Sequence, residues 1–350
     1  SKFVAVYGEN VSNDMDMVGF EPAFGSKIMK SERALEERLR ALLSDMEQIL
    51  APIFGEGTEF REFLKSLSPA DDSLLVQCLV DPGLQDLPWE GLDVFSLFGG
   101  QVNRDFSLHM LGLRLHNFEH RGCHASSLKT VFDPYGDDTG SKLEGYEREA
   151  IGDVVKHLVH EGAAGAAKWT CVNQGAGQLA AADWTSTIET PATDTKKISL
   201  FVYTPGRLGS LLSPVDVATM DFRKVLFVAC SDQGLNDASF RRQNSLDNIK
   251  TLRDISLEAP LKLLANISLA GCGSIVAPSW ATTLSSQRKS VMRFWSSFTK
   301  DKKGSVAALS NANGLGVLAD DDQLKSTGLK PWIYLSRVSF GLSVTYNDAV

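Results

Sequence analysis

Residues 224–230 of the chain read Lys-Val-Leu-Phe-Val-Ala-Cys, and residues 274–278 read Ser-Ile-Val-Ala-Pro. Between these two apolar runs lie a loop with Gly234 and a helical pattern over residues 259–270. The order strand, loop, helix, strand is the repeating unit of a parallel sheet. Apolar runs this short and continuous are typical of strands that are buried on both faces. The stretch 221–283 therefore predicts an α/β fold.

The last residue of the first run, Cys230, is the candidate functional residue of this stretch. In open parallel sheets, functional groups collect at the carboxyl ends of the strands. We expect Cys230 at such an end. A thiol there is either the nucleophile of an enzyme or a buried thiol without a chemical role, and the apolar run alone does not separate the two.

Composition narrows the class of protein. The chain has 350 residues, which suffices for one large or two ordinary domains, and its net charge is -8. This charge argues against a general nucleic-acid or acidic-membrane surface. Without a membrane-length apolar run or a signal peptide, and with five irregularly spaced cysteines, the chain is expected to be cytosolic with reduced thiols. Because Ser1 comes first, we expect a piece of a longer protein.

The first part of the chain, residues 1–70, is predicted to be a helical lead-in. A short strand is expected over residues 3–7. From Ser26 to Leu50, apolar residues recur every three or four positions, which predicts a helix that ends at Pro52 and Gly55. A shorter helix is predicted over residues 60–67.

Residues 71–350 are predicted to form one α/β domain, with an N-terminal part over 71–127 and a core over 128–350. In the N-terminal part, residues 74–80 are a predicted strand, and residues 102–111 are predicted to start a helix that Asp105 or Ser107 caps and Gly122 stops. In the core, the predicted strands are 130–132, 169–172, 198–203, 224–230, 274–278 and one or two within 332–344. The predicted helices are 146–158, 178–184, 259–270, 285–298 and 306–318.

Seven short motifs, in this order, resemble the CHAT family of caspase-like cysteine peptidases, of which separase is a well-known relative. The resemblance covers roughly residues 73–345, and it implies a caspase-like three-layer α/β/α sandwich with a mostly parallel central sheet. The motifs are Leu87-Pro88-Trp89-Glu90, residues 102–111, Phe132-Asp133-Pro134, Glu149-Ala150, Phe227-Val228-Ala229-Cys230, residues 269–280 and Pro331-Trp332-Ile333-Tyr334.

The resemblance assigns the nucleophile position of the family to Cys230. The family also needs a histidine at the end of the neighbouring strand, where it handles the proton transfers. Here that strand, residues 200–203, is followed by Thr-Pro-Gly-Arg, so Pro205 or Gly206 takes the place of the histidine. Neither residue can accept a proton. We therefore expect no catalytic residue and interpret Cys230 as the remnant of a nucleophile.

Two blocks of sequence, residues 87–92 and 104–111, show a more specific resemblance to the C-terminal region of a large cilia- and flagella-associated protein of the axonemal central apparatus. It implies a non-catalytic pseudopeptidase domain in a scaffold of the motile cilium, located in the cytoplasm and cytoskeleton. Its partners would be other axonemal proteins and, indirectly, microtubules, with no nucleic acid and no membrane. The alternative is an active CHAT-type cysteine endopeptidase that uses Cys230 with an unconventional base.

Other motifs are weaker, and we expect neither a cofactor nor a metal. His116, His120, Cys123 and His124 have helical spacing, but Gly122 is expected to break the helix between them. Residues 175–177, Gly-Ala-Gly, lack the remaining residues of a phosphate loop and are interpreted as a turn. The charged pair Arg241-Arg242 and the run 300–303 are predicted to lie in solvated loops.

Overall fold

A mostly parallel sheet of nine strands lies at the centre of the molecule. The computed structural model describes residues 23–66, 75–81, 84–85, 87–98, 101–118, 122–124, 127–132, 135, 170–172, 197–235, 237–280, 282–313 and 337–347. The strands of the sheet are β1 (Val76–Leu79), β2 (Val102–Asp105), β4 (Leu128–Phe132), β5 (Thr170–Val172), β6 (Ile198–Pro205), β7 (Val225–Leu235), β8 (Ser274–Pro278), β9 (Thr282–Thr283) and β10 (Arg337–Gly341). A second, two-stranded sheet contains β3 (Gly122–His124) and β11 (Thr345–Asn347).

The strand order across the large sheet is β1-β2-β10-β8-β7-β6-β4-β5, and β9 pairs with β7. Among the strand pairs of this sheet that the structure describes, only the pair of β10 with β8 is antiparallel. The helices are α1 (Ala23–Phe54), α2 (Glu59–Ser66), α3 (Leu108–Asn117), α4 (Pro214–Thr219), α5 (Asp237–Asp247), α6 (Leu252–Leu257), α7 (Pro260–Leu269), α8 (Leu284–Thr299) and α9 (Ser305–Asn313). The predicted α/β class is confirmed.

Helices cover both faces of the sheet, as the continuous apolar runs of β6, β7 and β8 require. Alternate residues of β7 face opposite sides, because successive side chains of a strand point to opposite faces. Phe227 packs in one core, with α8 and α9, and Val228 packs in another, with α4 and α7. Trp295 of α8 lies fully buried in the first core, in edge contact with Phe201 and Phe298. These layers confirm the predicted three-layer α/β/α sandwich.

The helical lead-in packs on the sheet edge that β1 and β2 form. Met46 of α1 and Leu64 of α2 share one apolar cluster with Val102 of β2. The prediction of both helices is confirmed, but α1 does not end at Pro52. It continues through this proline to Phe54, and the Gly55 amide still donates to the carbonyl of Ala51.

The segment 102–111 is divided differently from the prediction. Residues 102–105 are the strand β2, which pairs with β1 on one side and with β10 on the other. The helix begins only at Leu108, where the Ser107 hydroxyl accepts a hydrogen bond from the Met110 amide at 3.1 Å. Of the two predicted caps, Ser107 is therefore correct. The helix ends at Asn117 rather than Gly122, which belongs to β3.

Several predictions lie outside the described residues. They are the strand over 3–7, the helices over 146–158 and 178–184, the Gly-Ala-Gly turn at 175–177, and the motif residues 133–134, 149–150 and 331–334. In the ranges that the structure covers, no helix has the length and apolar character needed to cross a membrane.

Gly341, the last residue of β10, occupies a position that excludes a side chain. Its φ is +91°, and an added Cβ would overlap the Arg114 guanidinium and the Gly273 carbonyl. We expect Gly341→Ala to lower the free energy of unfolding by about 3 kcal/mol, because the backbone strain and the overlap act together. Urea denaturation measures the change.

Gly112 in the middle of α3 provides the matched control. Nothing lies within 4 Å of a Cβ added there. Gly112→Ala should therefore raise the free energy of unfolding by about 0.5–1 kcal/mol through helix propensity alone. Equal stability of the two alanine variants would contradict the packing described at Gly341.

Candidate functional site

Cys230 lies in the middle of β7, and not at its end as predicted. The strand continues for five residues to Leu235, since Gly234 and Leu235 pair with the two residues of β9. On its other side, Cys230 pairs in register with Val202 of β6. The thiol therefore lies among paired strands, and the polypeptide does not turn into a loop immediately after it.

The Cys230 thiol is buried, and its surroundings favour the protonated form. Its residue is 1% exposed and packs in the apolar core under α4 and α7. Burial raises the pKa of the Cys230 thiol well above its ordinary value, and the neighbouring Asp232 and Cys272 raise the pKa further, whereas Arg337 acts in the opposite direction. A cysteine nucleophile needs the thiolate, so these surroundings oppose nucleophilic chemistry.

The two residues after Cys230 hold a buried polar network. Arg337, the first residue of β10, donates to the Ser231 hydroxyl at 2.8 Å. The Asp232 carboxylate accepts a hydrogen bond from the Leu208 amide at 3.0 Å, and its backbone carbonyl accepts one from the side chain of Gln287. Burial lowers the pKa of the Arg337 guanidinium to about 10, and Asp232 opposes this shift. The network joins β7, β10, α8 and the loop after β6.

The strand end that would carry the histidine is closed. Pro205 is the last residue of β6, and its carbonyl accepts a hydrogen bond from Arg242 at 2.9 Å. Gly206 follows with a φ of +83°, which disfavours any residue with a side chain. A Cβ on Gly206 would lie 3.2 Å from Arg242 Nη2 and 3.4 Å from Gln243 Oε1. Neither position that the sequence resemblance assigned to a histidine therefore has free space and an unstrained backbone for an imidazole side chain.

A charged cluster, here called the Arg207 cluster, fixes the loop after Gly206 to α5 and to the residue that ends α6. Its members are Arg207, Ser210, Asp247, Lys250 and Glu258. Arg207 pairs with Asp247 and, at 3.1 Å, with Glu258. Lys250 pairs with Glu258 at 2.5 Å, and Ser210 donates to Glu258 at 3.0 Å. The cluster holds the loop against the carboxyl end of β6.

The prediction of a solvated loop at Arg241-Arg242 is wrong. Both residues belong to α5, and Arg242 turns toward the sheet. Its guanidinium lies over the ring of Tyr135, 3.7 Å from the centroid, in addition to its bond to Pro205. The run 300–303 is exposed, as predicted.

The three histidines that the structure describes lie on α3 and in the small sheet, and not on the strands beside Cys230. His109 and His116 are exposed on α3, and His124 lies in the small sheet. His120, His157 and His160 are outside the described residues. The charged and titratable groups that shift the Cys230 pKa do not include an imidazole.

The histidine and cysteine motif at 116–124 does not form a metal cluster in the described part of the chain, where no group of three potential ligands converges. Cys123 points instead into the core under α8 and α9, where it is fully buried. Sequence reasoning missed Arg337 and Gln287, because their places beside β7 depend on contacts between segments far apart in the chain. It also missed α5, whose many polar residues were interpreted as a loop.

The buried thiols predict a loss of stability at alkaline pH. Burial raises the pKa of Cys123 and Cys272 from 9.0 to about 12, so the folded state keeps protons that the unfolded state loses. The stabilisation is complete below pH 9 and is lost as the pH rises toward 12. Each thiol should lower the free energy of unfolding by about 1.4 kcal/mol per pH unit in this window.

Cys272→Ala tests this pH dependence in urea denaturation between pH 8 and pH 11. The variant should show a slope that is less steep by about 1.4 kcal/mol per pH unit than the slope of the wild type, because one proton is no longer released on unfolding. The constant cost of removing the sulfur does not affect the slope. Parallel curves for the two proteins would contradict the assigned burial.

Comparison with known proteins supports the fold of the chain, but it does not show a function. No protein-family model and no curated protein matches the chain. Two crystal structures of the Saccharomyces cerevisiae separase–securin complex are similar to it, with 12% identity and TM-scores of 0.51 and 0.52. Each match covers 78% of this chain and 16% of the matched chain. The matched chain is therefore much longer, and the similarity concerns only a small part of it. At this identity, the likeness establishes that the chain has a caspase-like, separase-like fold.

Proposed function

We propose that this chain is a non-catalytic pseudopeptidase domain that acts as a scaffold in the central apparatus of the motile cilium. One observation carries the non-catalytic part: the end of β6, where the family places its base, consists of Pro205 and Gly206 closed by α5. A cysteine peptidase loses about 10²–10⁴-fold in rate without a positioned base. The buried, protonated Cys230 adds to that loss.

An active peptidase with an unconventional base needs a nitrogen or carboxylate within hydrogen-bond reach of the thiol. Asp232 is the carboxylate that lies closest to Cys230 in the chain. It accepts a hydrogen bond from the Leu208 amide, and its charge raises the pKa of Cys230, which is the wrong direction for thiolate formation. These contacts argue against the active peptidase and support the non-catalytic proposal.

The ciliary part of the proposal rests on the blocks 87–92 and 104–111, which carry the narrower resemblance. In the fold, the two blocks contact each other, because Arg104 hydrogen-bonds to both carboxylate oxygens of Glu90 and to the carbonyl of Leu87 at 2.8 Å. The two sequence blocks that resemble the ciliary protein therefore lie next to each other in the fold. We infer other axonemal proteins as partners, with microtubules reached through them, in the cytoplasmic cytoskeleton of the cilium.

Cleavage of a peptide library by the purified chain tests the non-catalytic proposal, with Cys230→Ala as the matched control. We expect the two proteins to give the same background. Gly206→His, which restores an imidazole after β6, should also stay silent, because the positive φ and α5 oppose its placement. Cleavage by the wild type that Cys230→Ala abolishes would establish the peptidase alternative instead.

Co-sedimentation tests the scaffold part. The chain should pellet with demembranated axonemes and stay in solution with microtubules assembled from purified tubulin. Equal binding to both would contradict attachment through other axonemal proteins, and binding to neither would contradict the ciliary proposal.

A further inference from the structure

The hairpin of α1 and α2 exposes four large apolar side chains within fifteen residues. Ile49 and Ile53 of α1 and Phe60 and Phe63 of α2 are between 45% and 76% exposed. Spacings of four and three residues place each pair on one side of its helix. Met46 and Leu64, which pack on the sheet edge, lie beside these exposed residues on the same helices. The apolar surface of each helix is therefore only partly covered within the described fold.

A cleft adjoins these residues at the junction of α1, α2 and the turn 93–98. Its volume is about 200 Å³, whereas one water molecule takes up about 30 Å³ in the liquid. Leu50, Phe54, Leu92 and Val94 form its apolar lining, and Glu47, Arg61 and Asp93 bring charged groups to it. The apolar lining suits one large apolar side chain.

The end of the hairpin that carries these apolar residues, residues 44–66, is acidic. Five exposed carboxylates lie between residues 44 and 66, against two basic side chains. Both of these are already paired: Arg61 contacts Glu56 and Asp93, each at 2.7 Å, and Lys65 contacts Glu56 and Glu62. The exposed acidic residues are Asp45, Glu47, Glu56, Glu59 and Glu62. The charge that remains around the apolar residues is negative.

We propose that the α1–α2 hairpin docks an amphipathic helix of another protein, in which large apolar side chains are flanked by lysine or arginine. Charge complementarity selects this occupant. A second copy would bring the same acidic surface, and residues 1–22 of this chain contain four acidic residues and one basic residue. Both would be repelled. The inference goes beyond the proposed function, because the surface does not depend on the state of Cys230.

Two synthetic helices of about 18 residues, or five turns, provide the probes. Both carry the same leucine and phenylalanine face, and their polar face is either lysine or glutamate. Fluorescence anisotropy should show saturable 1:1 binding of the lysine peptide and no binding of the glutamate peptide. The double variant Ile53→Ser/Phe63→Ser should weaken the lysine peptide at least about tenfold, the loss expected when anchor residues are removed.

Leu252→Ser is the matched control, because Leu252 is 87% exposed on a different part of the molecule, and it should change the dissociation constant less than about twofold. The double variant Glu59→Lys/Glu62→Lys should bind the glutamate peptide more tightly than the lysine peptide. Circular dichroism verifies the fold of each variant. Binding that is equal in all variants, or a dimer that Phe63→Ser dissociates, would overturn the proposal. So would hairpin-dependent binding of a peptide of residues 1–22, or absence of binding by both probes.

Discussion

Iodoacetamide should alkylate Cys230 at least about 100-fold more slowly in the folded protein than in the urea-unfolded protein, because local opening must precede the reaction of a buried thiol. Two properties of the site act together. The thiol is 1% exposed, so the reagent has no direct path to it. Burial and the Asp232 carboxylate also hold the thiol in its protonated form. Peptide-resolved mass spectrometry after timed quenching at pH 8 measures the rate.

Cys78 is the internal control of the alkylation experiment. It is partly exposed on the edge strand β1, and its burial also raises its pKa to about 12. Cys78 should therefore react before Cys230, Cys123 and Cys272, since access separates residues that share a raised pKa. In an active peptidase, the nucleophile would be the fastest of the four. Preferential labelling of Cys230 would contradict both its assigned burial and the proposed function.

Replacing Arg104 by methionine should lower the free energy of unfolding by about 3–5 kcal/mol, the cost of breaking a buried ion pair from one side. The Arg104 and Glu90 side chains are 1% and 4% exposed. The guanidinium also donates to the carbonyls of Gln85 at 2.5 Å and Leu87 at 2.8 Å. Methionine leaves a buried carboxylate and two carbonyls without these donors. Urea denaturation at pH 7 measures the loss.

Arg223→Met is the matched control for Arg104→Met. Arg223 also forms a two-bond pair, with Asp221, but its side chain is 73% exposed. The variant should lose less than about 1 kcal/mol. The double variant Arg104→Met/Glu90→Leu should lose less than the two single variants combined, because it removes both charges. A loss at Arg104 as small as that at Arg223 would contradict the described burial.

Local patterns predicted three elements of the core almost to their observed bounds. Strand β8 has the predicted bounds, and α7 and α8 differ from the predictions by one residue at each end. In these segments the periodicity of the sequence and the packing agree. Strand β2 was not predicted, since residues 102–105 become a strand only through pairing with β1 and with β10, which lies more than two hundred residues later.

In the candidate site, too, local features could be predicted from the sequence, whereas contacts between distant segments could not. The resemblance to the family placed Pro205 or Gly206 at the end of the strand, and Pro205 is indeed the last residue of β6. The closure of that end was not visible. Arg242 reaches Pro205 from a helix that sequence reasoning took for a loop. The extension of β7 beyond Cys230 depends on β9, about fifty residues further along the chain.

The place of β10 has a consequence for the synthesis of the protein. This strand lies between β2 and β8, so it joins residues near position 104 to residues near position 275. Until a ribosome has passed Gly341, the nascent chain can assemble only two separate pieces of the sheet, each with an open edge. Long-range pairing is slow, and open edges invite aggregation. We therefore expect the growing chain to be prone to aggregation until its last central strand emerges.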